Sequence, residues 1–392
     1  MRHLLVAASV AALALLGCSS STSGSSGSTG STGSTSHTTS AGSTSAGTTS
    51  AGSTSTGTTS AGTSTGASAT STTGTTGTGT TSTGTTSAGT TGNTLFPSDA
   101  PWYQDVSALQ KDAQSDAIIT DLSNNGGWGN GNVFQIDFSI TLQHADANTE
   151  FVPWTPTGDW YSPDCDQQDM PLPTGGAVEG EDAYACTQGG DCHLLVIDDV
   201  HQKLYENWEW NQTGTNTYES GCQAVWDLTQ HYPDNLRGDG CTSADAAGFP
   251  IAALLFTADE VAAGHIDHAI RFILPNDRIR HGSYVHPSTH STNPTAGGPN
   301  APPYGVHLRL RQDFDVSGLS PGAQVVANAL KKYGMFLSDG GQIALTAADD
   351  RFTTAKWSGL LDAHDLSSIQ VTDFEVVNLG TPVPLNDCVR NP

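Results

Sequence analysis

Histidine and arginine side chains are concentrated between residues 265 and 311, in a chain with 39 acidic and 14 basic residues. On a β-strand, His307, Arg309 and Arg311 would project from one face of the sheet. Such a face could bind the hydroxyls or carboxylates of a ligand. The alternative is a solvated surface on which the arginines pair with the abundant Asp and Glu. The window contains His265, His268, His281, His286, His290 and His307, with Arg271, Arg278, Arg280, Arg309 and Arg311.

Carboxylates are the second candidate group, because glycoside hydrolysis needs two carboxyls that face each other across a groove. Glu206 shares a strand face with Trp208, and an aromatic ring beside a carboxylate suits the apolar face of a sugar. Asp245 lies among small residues, 242–248, which let the backbone come close; the same residues also suit a helix or turn cap. The candidates are Glu179, Glu206, Asp227 and Asp245.

Polysaccharide elimination is the alternative chemistry, in which a base removes a proton next to a substrate carboxylate. His268 or His290 would then act with Tyr333, and Arg271 would neutralise the carboxylate. A general base must be within hydrogen-bond reach of its proton, so Glu206, Asp245, His268 and Arg271 should converge within roughly 10 Å. The predicted catalytic residues are Glu206, Asp245, His268 and His290, and the predicted substrate-binding residues are Arg271, Trp208, Arg309 and Tyr333.

Cofactor and metal signatures are weak in this sequence. His286 and His290 have a helical metal spacing, but they flank Pro287 in loop-like sequence. The chain has no His-Glu-x-x-His pair and no P-loop. We therefore predict no metal site and identify no cofactor, while calcium bound by loop aspartates stays open.

The elements that must position these residues are mainly strands. Runs that alternate apolar and polar residues predict strands at 133–142, 193–198, 204–210, 268–274, 305–310, 334–337 and 374–377. Helices are predicted at 107–122, at 257–263 before Gly264, and at 320–332, where Ser320 caps the helix and Pro321 occupies its first turn. Many strands with few helices indicate a mainly β domain, a β-sandwich or jelly-roll with two or three short helices.

Short motifs distributed over residues 95–378 carry a family resemblance. The longest are Thr-Ser-Ala-Asp-Ala-Ala-Gly at 242–248 and His-Ala-Ile-Arg-Phe at 268–272. Through these motifs the chain resembles a family of secreted proteins of unknown function, common in actinobacteria and myxobacteria. The resemblance implies export and the limits of the domain, and it transfers no catalytic residue. Further matching segments are 96–102, 178–180, 192–198, 204–206, 224–228 and 332–335.

The first 18 residues predict export and lipidation. Arg2 precedes an apolar run, 4–16, which has the length of a secretory signal core and is too short to span a bilayer. A small residue, Gly17, precedes Cys18, as in the sites that a lipoprotein signal peptidase cleaves, so Cys18 is the predicted lipidation site. The alternative is an ordinary signal peptide in which Cys18 is incidental. A lipid on Cys18 would be the only membrane attachment and would locate the protein in the cell envelope, outside the cytoplasm.

Residues 19–94 consist almost wholly of Ser, Thr, Gly and Ala and carry no charge. Such a tract has too little to bury to offset the entropy cost of ordering, so it predicts a disordered stalk. A flexible chain of this length has a typical end-to-end distance of roughly 50 Å. The remaining residues, 95–392, are the predicted globular domain.

Charge and cysteine content limit the partners of this domain. It contains all 39 acidic residues and every basic residue except Arg2. Such a negative charge argues against binding nucleic acid or an anionic membrane surface. Its cysteines are even in number, which is typical of disulfides in an oxidising compartment, and their spacing lacks the CxxC pairs of a zinc site. Two small loops could be closed by Cys186 with Cys192 and by Cys222 with Cys241.

We therefore expect a surface-anchored lipoprotein whose domain acts on or binds extracellular polysaccharide or a cell-envelope glycan. The tether, the aromatic-rich strands and the polar side chains along them motivate this hypothesis. Two alternatives are left open. One is a non-catalytic carbohydrate-binding module, and the other is a structural envelope protein that has no site.

Overall fold

Strands outnumber helices among residues 94–391, which are the residues that the computed structural model describes. The predicted signal peptide with Cys18, and the predicted stalk up to residue 93, lie outside the described residues. The strands are β1 (Ile136–Ile140), β2 (Leu142–Ala145), β3 (Glu150–Val152), β4 (Thr155–Pro156), β5 (Met170–Leu172), β6 (Leu194–Asp198), β7 (Lys203–Trp208), β8 (Asn211–Gly214), β9 (Thr217–Ser220), β10 (Cys222–Asp227), β11 (Ile270–Leu274), β12 (Ser283–Tyr284), β13 (His307–Leu310), β14 (Met335–Gly340), β15 (Leu345–Ala348), β16 (Phe374–Val376) and β17 (Val383–Pro384). The helices are α1 (Ser115–Asn124), α2 (Gly129–Asn132), α3 (Ala258–Ala263) and α4 (Pro321–Lys332), with 3₁₀ turns at Pro101–Tyr103, Ala252–Leu254, Asn276–Arg278 and Val371–Asp373.

Two sheets dominate the architecture. The six-stranded sheet has the order β1-β15-β11-β14-β13-β16, and it mixes parallel pairs, such as β11 with β14, with antiparallel ones. The four-stranded sheet has the order β10-β7-β6-β2, in which β2 runs parallel to β6 and the other pairs are antiparallel. Three small sheets, β3-β5, β4-β9-β8 and β12-β17, complete the fold.

The two large sheets share one hydrophobic core because alternate residues of their strands face it. Leu195 and Ile197 of β6 contribute to this core from one sheet, and Phe272 of β11 contributes from the other. The intervening residues of β6, Leu194 and Val196, enter a second, smaller core. Strand β6 is therefore buried on both faces, as the central strand between two hydrophobic layers.

The helices begin and end largely where their capping residues predict. In α4 the Ser320 side chain accepts a hydrogen bond from the backbone N–H of Ala323, and in α3 Gly264 closes the helix with a φ of +88°. The exception is α1, which starts at Ser115 and not at 107, because residue 111 instead pairs with residue 377 beside β16. Within residues 94–391, no helix has the length and hydrophobicity of a transmembrane segment.

The prediction of a mainly β fold with a few short helices is confirmed, and each predicted strand run contains at least part of an observed strand. Helix α2 is a single turn in which Asn130 and Gly131 have left-handed backbone, so three regular helices are present among the described residues. The periodicity did not predict the parallel pairs, because β11 and β14 are about 60 residues apart in the chain and periodicity reports only local structure.

The six cysteines of the domain form three disulfides, as predicted from their even number. The bridges are Cys165–Cys222, Cys186–Cys192 and Cys241–Cys388. The predicted loop closed by Cys186 and Cys192 is confirmed, while the pairing of Cys222 with Cys241 is wrong. The C-terminal segment explains the difference, since the backbone N–H of Val389 donates to the carbonyl of Asp239 at 2.9 Å and brings the last cysteine alongside Cys241.

The bridges differ in the length of chain that they close, and this predicts unequal contributions to stability. Replacing Cys241 and Cys388 with Ser should lower the free energy of unfolding by about 3–5 kcal/mol, since this bridge closes a separation of 147 residues. The matched change at Cys186 and Cys192 should cost only about 2 kcal/mol, because the separation is 6 residues. Urea denaturation followed by tryptophan fluorescence measures both; equal losses would contradict the prediction.

Candidate functional site

A cleft of about 340 Å³ opens where residues of both large sheets meet the loop 241–248. Its charged lining consists of three aspartates, and three aromatic side chains lie beside them. We call it the acidic cleft. It is defined by Asp191, Asp245 and Asp339, by Tyr161, Trp208 and Tyr304, and by His290.

Arg271 of β11 organises the base of the acidic cleft. Its Nε donates to Oδ1 of Asp245 at 3.0 Å, and its Nη2 donates to Oδ2 of Asp339 at 2.8 Å. The third nitrogen, Nη1, donates to Oγ1 of Thr346 at 3.0 Å. The Arg271 side chain is only 4% exposed. One buried guanidinium therefore holds two carboxyls side by side, and all three of its nitrogens have acceptors.

The strand register brings these partners onto one face of the six-stranded sheet. In β15, Leu345 pairs with Phe272, which sets Thr346 opposite Arg271 in the antiparallel ladder. Between β11 and β14 the register shifts by one residue, so that Ile273 pairs with Asp339. Ile273 lies two residues from Arg271 and on the same face. The bulge therefore turns Asp339 toward the guanidinium, a common use of bulges beside functional sites.

Asp245 lies within the loop 241–248. Hydrogen bonds inside this loop, and contacts with the segment around Thr289, hold it in place. Its second oxygen, Oδ2, accepts the backbone N–H of Phe249 at 3.3 Å, and its own N–H donates to Ser243 Oγ at 3.0 Å. Gly248 has a φ of +84°, and a side chain there would meet Thr289 Oγ1 at 2.0 Å. Thr289 Oγ1 donates to the carbonyl of Cys241 at 2.6 Å. Glycine is thus required for the loop to close against this neighbouring segment.

The two carboxyls of the pair have unusual protonation. Burial raises the pKa of Asp245, and the positive charge of Arg271 only partly offsets it. Burial likewise raises the pKa of Asp339 against the same guanidinium, although its side chain keeps 20% exposure toward the cleft. A single guanidinium cannot neutralise two carboxylates, so the pair retains a proton at higher pH than a solvated Asp would.

A second ion pair, between His193 and Glu179, supports the loop from the other sheet. His193 Nδ1 lies 2.6 Å from Glu179 Oε2, and its Nε2 lies 3.1 Å from the carbonyl of Ala244. Burial alone would lower the pKa of His193, but the charge and hydrogen bond of Glu179 outweigh it and raise the pKa to about 9. Burial would raise the pKa of Glu179, but His193 brings it down to about 2. A charged imidazolium therefore anchors the residue next to Asp245.

The acidic cleft brings together part of the predicted site. Asp245, His290 and Trp208 line it, and Arg271 lies directly behind Asp245. Trp208 donates its indole N–H to Asp191 Oδ1 at 3.2 Å. His290 donates from Nδ1 to the carbonyl of Ala246 at 2.8 Å, and burial lowers its pKa, which favours the neutral ring.

Glu206 lies in the core and not in the acidic cleft. Its oxygens accept the indole N–H of Trp226 at 3.0 Å and the backbone N–H of Ala252 at 2.8 Å. Burial raises its pKa to about 7, against the effect of these hydrogen bonds. Glu206 and Trp208 do share a strand face, but that face is covered at Glu206 and open only at Trp208. The alternation of apolar and polar residues along this strand does not show which part of the face is buried and which part is exposed.

Three further predicted residues do not line the acidic cleft, and of the four side chains expected to converge, Asp245 and Arg271 are in direct contact. His268 pairs with Glu260 at 3.2 Å beside a different cavity, of about 630 Å³. Tyr333 is buried in the main core. Arg309 pairs with Glu375 at 2.5 Å, but it is buried and does not lie on a solvated surface.

Asp191, Asp339, Tyr161 and His193 were missed by sequence reasoning. Asp339 carries a signal in hindsight, because it follows a predicted strand and precedes two glycines, a position typical of site residues at strand ends. His193 opens the predicted strand 193–198, but nothing local identifies its partner Glu179. Among the described residues one group has ligand atoms close enough for a metal, Asp164 with Cys241 and Cys388, and its cysteines are joined in a disulfide.

The His193–Glu179 pair predicts a pH dependence of stability. Its Glu179 contribution is lost as pH falls from 4.5 toward 2, and its His193 contribution is lost as pH rises from 6.5 toward 9. The free energy of unfolding should therefore fall by roughly 1–3 kcal/mol between pH 6.5 and 9. In H193Q this fall should be smaller than in the wild-type protein, while other groups with raised pKa values, such as His268, still contribute. Urea titrations of both proteins across this range test it, and an identical slope in H193Q would count against the ion pair.

Comparison of the chain with models of known protein families, with curated proteins and with solved structures found no match. The resemblance carried by the motifs at 242–248 and 268–272 therefore stays a prediction. What the domain does has to be inferred from the geometry and chemistry of the acidic cleft, since site chemistry and not fold determines function.

Proposed function

We propose that the domain binds an extracellular polysaccharide in the acidic cleft and hydrolyses its glycosidic bonds. One observation carries the proposal: aromatic side chains and carboxyls line the same cavity. Tyr161 is 40% exposed and Trp208 is half-buried, and both line the cleft, where an aromatic ring can stack against a sugar. Asp191 and Asp339 supply the two carboxyls that hydrolysis requires.

Asp339 is the proposed general acid. Its side chain reaches the cleft, and burial raises its pKa, so it can hold the proton that the leaving oxygen needs. Asp191 is the proposed base. It is exposed at the rim, and the indole of Trp208 orients it. In the reaction Asp191 takes one proton from water, the water oxygen bonds to the anomeric carbon, the glycosidic C–O bond breaks, and the proton of Asp339 goes to the departing oxygen.

Hydrolysis is a better fit to the acidic cleft than elimination. A lyase must neutralise the carboxylate of its substrate, and Arg271 was the residue predicted for this role. Its Nε, Nη1 and Nη2 already donate to Asp245, Thr346 and Asp339. A substrate carboxylate would have to displace Asp339 or Asp245, which would leave a buried carboxyl unpaired at a cost of several kcal/mol.

The proposed acid predicts a large and specific loss of activity. Replacing Asp339 with Asn keeps the shape and leaves Asp245 on Arg271, but it removes the transferable proton. Release of reducing ends from the best substrate in a polysaccharide panel should fall by about 10²- to 10⁴-fold. Replacing Asp116, whose side chain is 83% exposed on α1, with Asn should leave activity unchanged.

The same assay separates the alternatives. Full activity in D339N at unchanged thermal stability would overturn the role of Asp339. If the wild-type protein binds a glycan that it never cleaves, the domain is a non-catalytic carbohydrate-binding module. If no glycan in the panel is bound or cleaved, the carbohydrate function is wrong, and a structural envelope protein is the remaining alternative.

We also propose that Cys18 is lipidated and tethers the domain to the cell envelope. The prediction rests on the apolar run 4–16 followed by Gly17 and Cys18. Replacing Cys18 with Ser should abolish incorporation of labelled palmitate and release the protein from the membrane fraction. Unchanged labelling of C18S would overturn it, and C186S/C192S serves as the control because those cysteines form a disulfide.

A further inference from the structure

The charge of the acidic cleft indicates which class of polysaccharide can bind in it. Among residues 94–391, no lysine or arginine lines the cleft, whereas three aspartates do. Arg271 lies behind two of them, is almost fully buried and has acceptors at all three nitrogens. Nδ1 of His290 is engaged by the carbonyl of Ala246, and burial lowers the pKa of His290, which favours the neutral ring. The described part of the chain therefore offers an anionic ligand no free cation there.

A second cavity, of about 240 Å³, extends the negative lining. It shares Asp191 with the acidic cleft and adds Glu179 and Glu181 from the neighbouring loop. The positive charge of His193 is matched by Glu179, and Thr187 and Gln188 bind Glu181 through hydrogen bonds without neutralising it. A polymer that runs from one cavity into the other would pass Asp191, with carboxylates on both sides.

Asp191 is the carboxylate best placed to meet a ligand. It is exposed and lies at the junction of the two cavities, and its Oδ1 accepts the indole N–H of Trp208 at 3.2 Å. Within the described residues, no arginine or lysine lies within ion-pair distance of it. An ammonium group on a sugar that stacks over the neighbouring aromatic rings would supply the missing charge.

We infer that the acidic cleft takes a polysaccharide rich in free amino groups, of the glucosamine type, in preference to a uronic acid polymer. This inference rests on the proposed function. An ammonium on the sugar pairs with Asp191 and is attracted by Glu181 in the neighbouring cavity, whereas a uronate is repelled by both carboxylates. The preference is electrostatic, so it weakens as salt is added.

Three hexasaccharides test the inference: one of glucosamine, its fully N-acetylated counterpart, and one of galacturonic acid. Tryptophan fluorescence of the full-length protein immediately after mixing measures the Kd of each. The glucosamine oligomer should bind about tenfold or more tightly than the N-acetylated one at low salt, and the galacturonate should bind most weakly. The first difference should shrink as salt rises.

Two variants, each of which removes one negative charge, show whether the preference arises in the acidic cleft. D191N should lose most of the preference for the glucosamine oligomer, while D116N, on the exposed side of α1, should keep it. Equal Kd values for the amine and N-acetyl oligomers, or tighter binding of galacturonate, would overturn the inference and leave a carbohydrate function standing. Absence of binding to all three oligomers and to every other glycan tested would overturn the proposed function itself.

Discussion

The interaction on which the site depends is the buried contact of Arg271 with Asp245 and Asp339. A guanidinium taken out of water is costly unless its donors find acceptors, and here Thr346 completes the set. The contact joins strand β11, the bulged end of strand β14 and the loop 241–248. Removing the guanidinium would leave two desolvated carboxyls at the floor of the cleft, so the same contact both stabilises this region and gives the carboxyls their chemistry.

Around this contact the two large sheets have different roles. The six-stranded sheet supplies Arg271, Asp339 and Thr346 on one face, positioned by register and by one bulge. The chain that enters the four-stranded sheet supplies His193, whose imidazolium hydrogen-bonds the carbonyl of Ala244. The cleft loop is thus held by a cation from each side. Segments 192–198, 242–248 and 268–272, three of those on which the predicted family resemblance rests, meet at this place.

Local signals predicted the elements well and the site only in part. Capping residues located the two ends of α4, and alternation located strands β6, β7 and β11. Asp245, Trp208 and His290 were identified as site residues and do share a cleft. Glu206 was not separable from them by sequence, because a strand face looks the same along its length whether another sheet covers it or solvent does. Trp208, two residues after Glu206 on the same strand, lines the acidic cleft.

The amino-acid sequence by itself determined the class of the domain, the positions of seven strands and of helices α3 and α4, the use of the cysteines in disulfides and the excess of negative charge. These follow from composition and from spacing over a few residues. Tertiary structure alone decided which cysteine joins Cys241, which strands run parallel, and that Asp339 rather than Glu206 lines the acidic cleft. Those outcomes depend on contacts between residues far apart in the chain, such as Ile136 with Leu345 and Cys241 with Cys388. Local periodicity carries no information about them, because the partner is chosen by the packing of whole sheets.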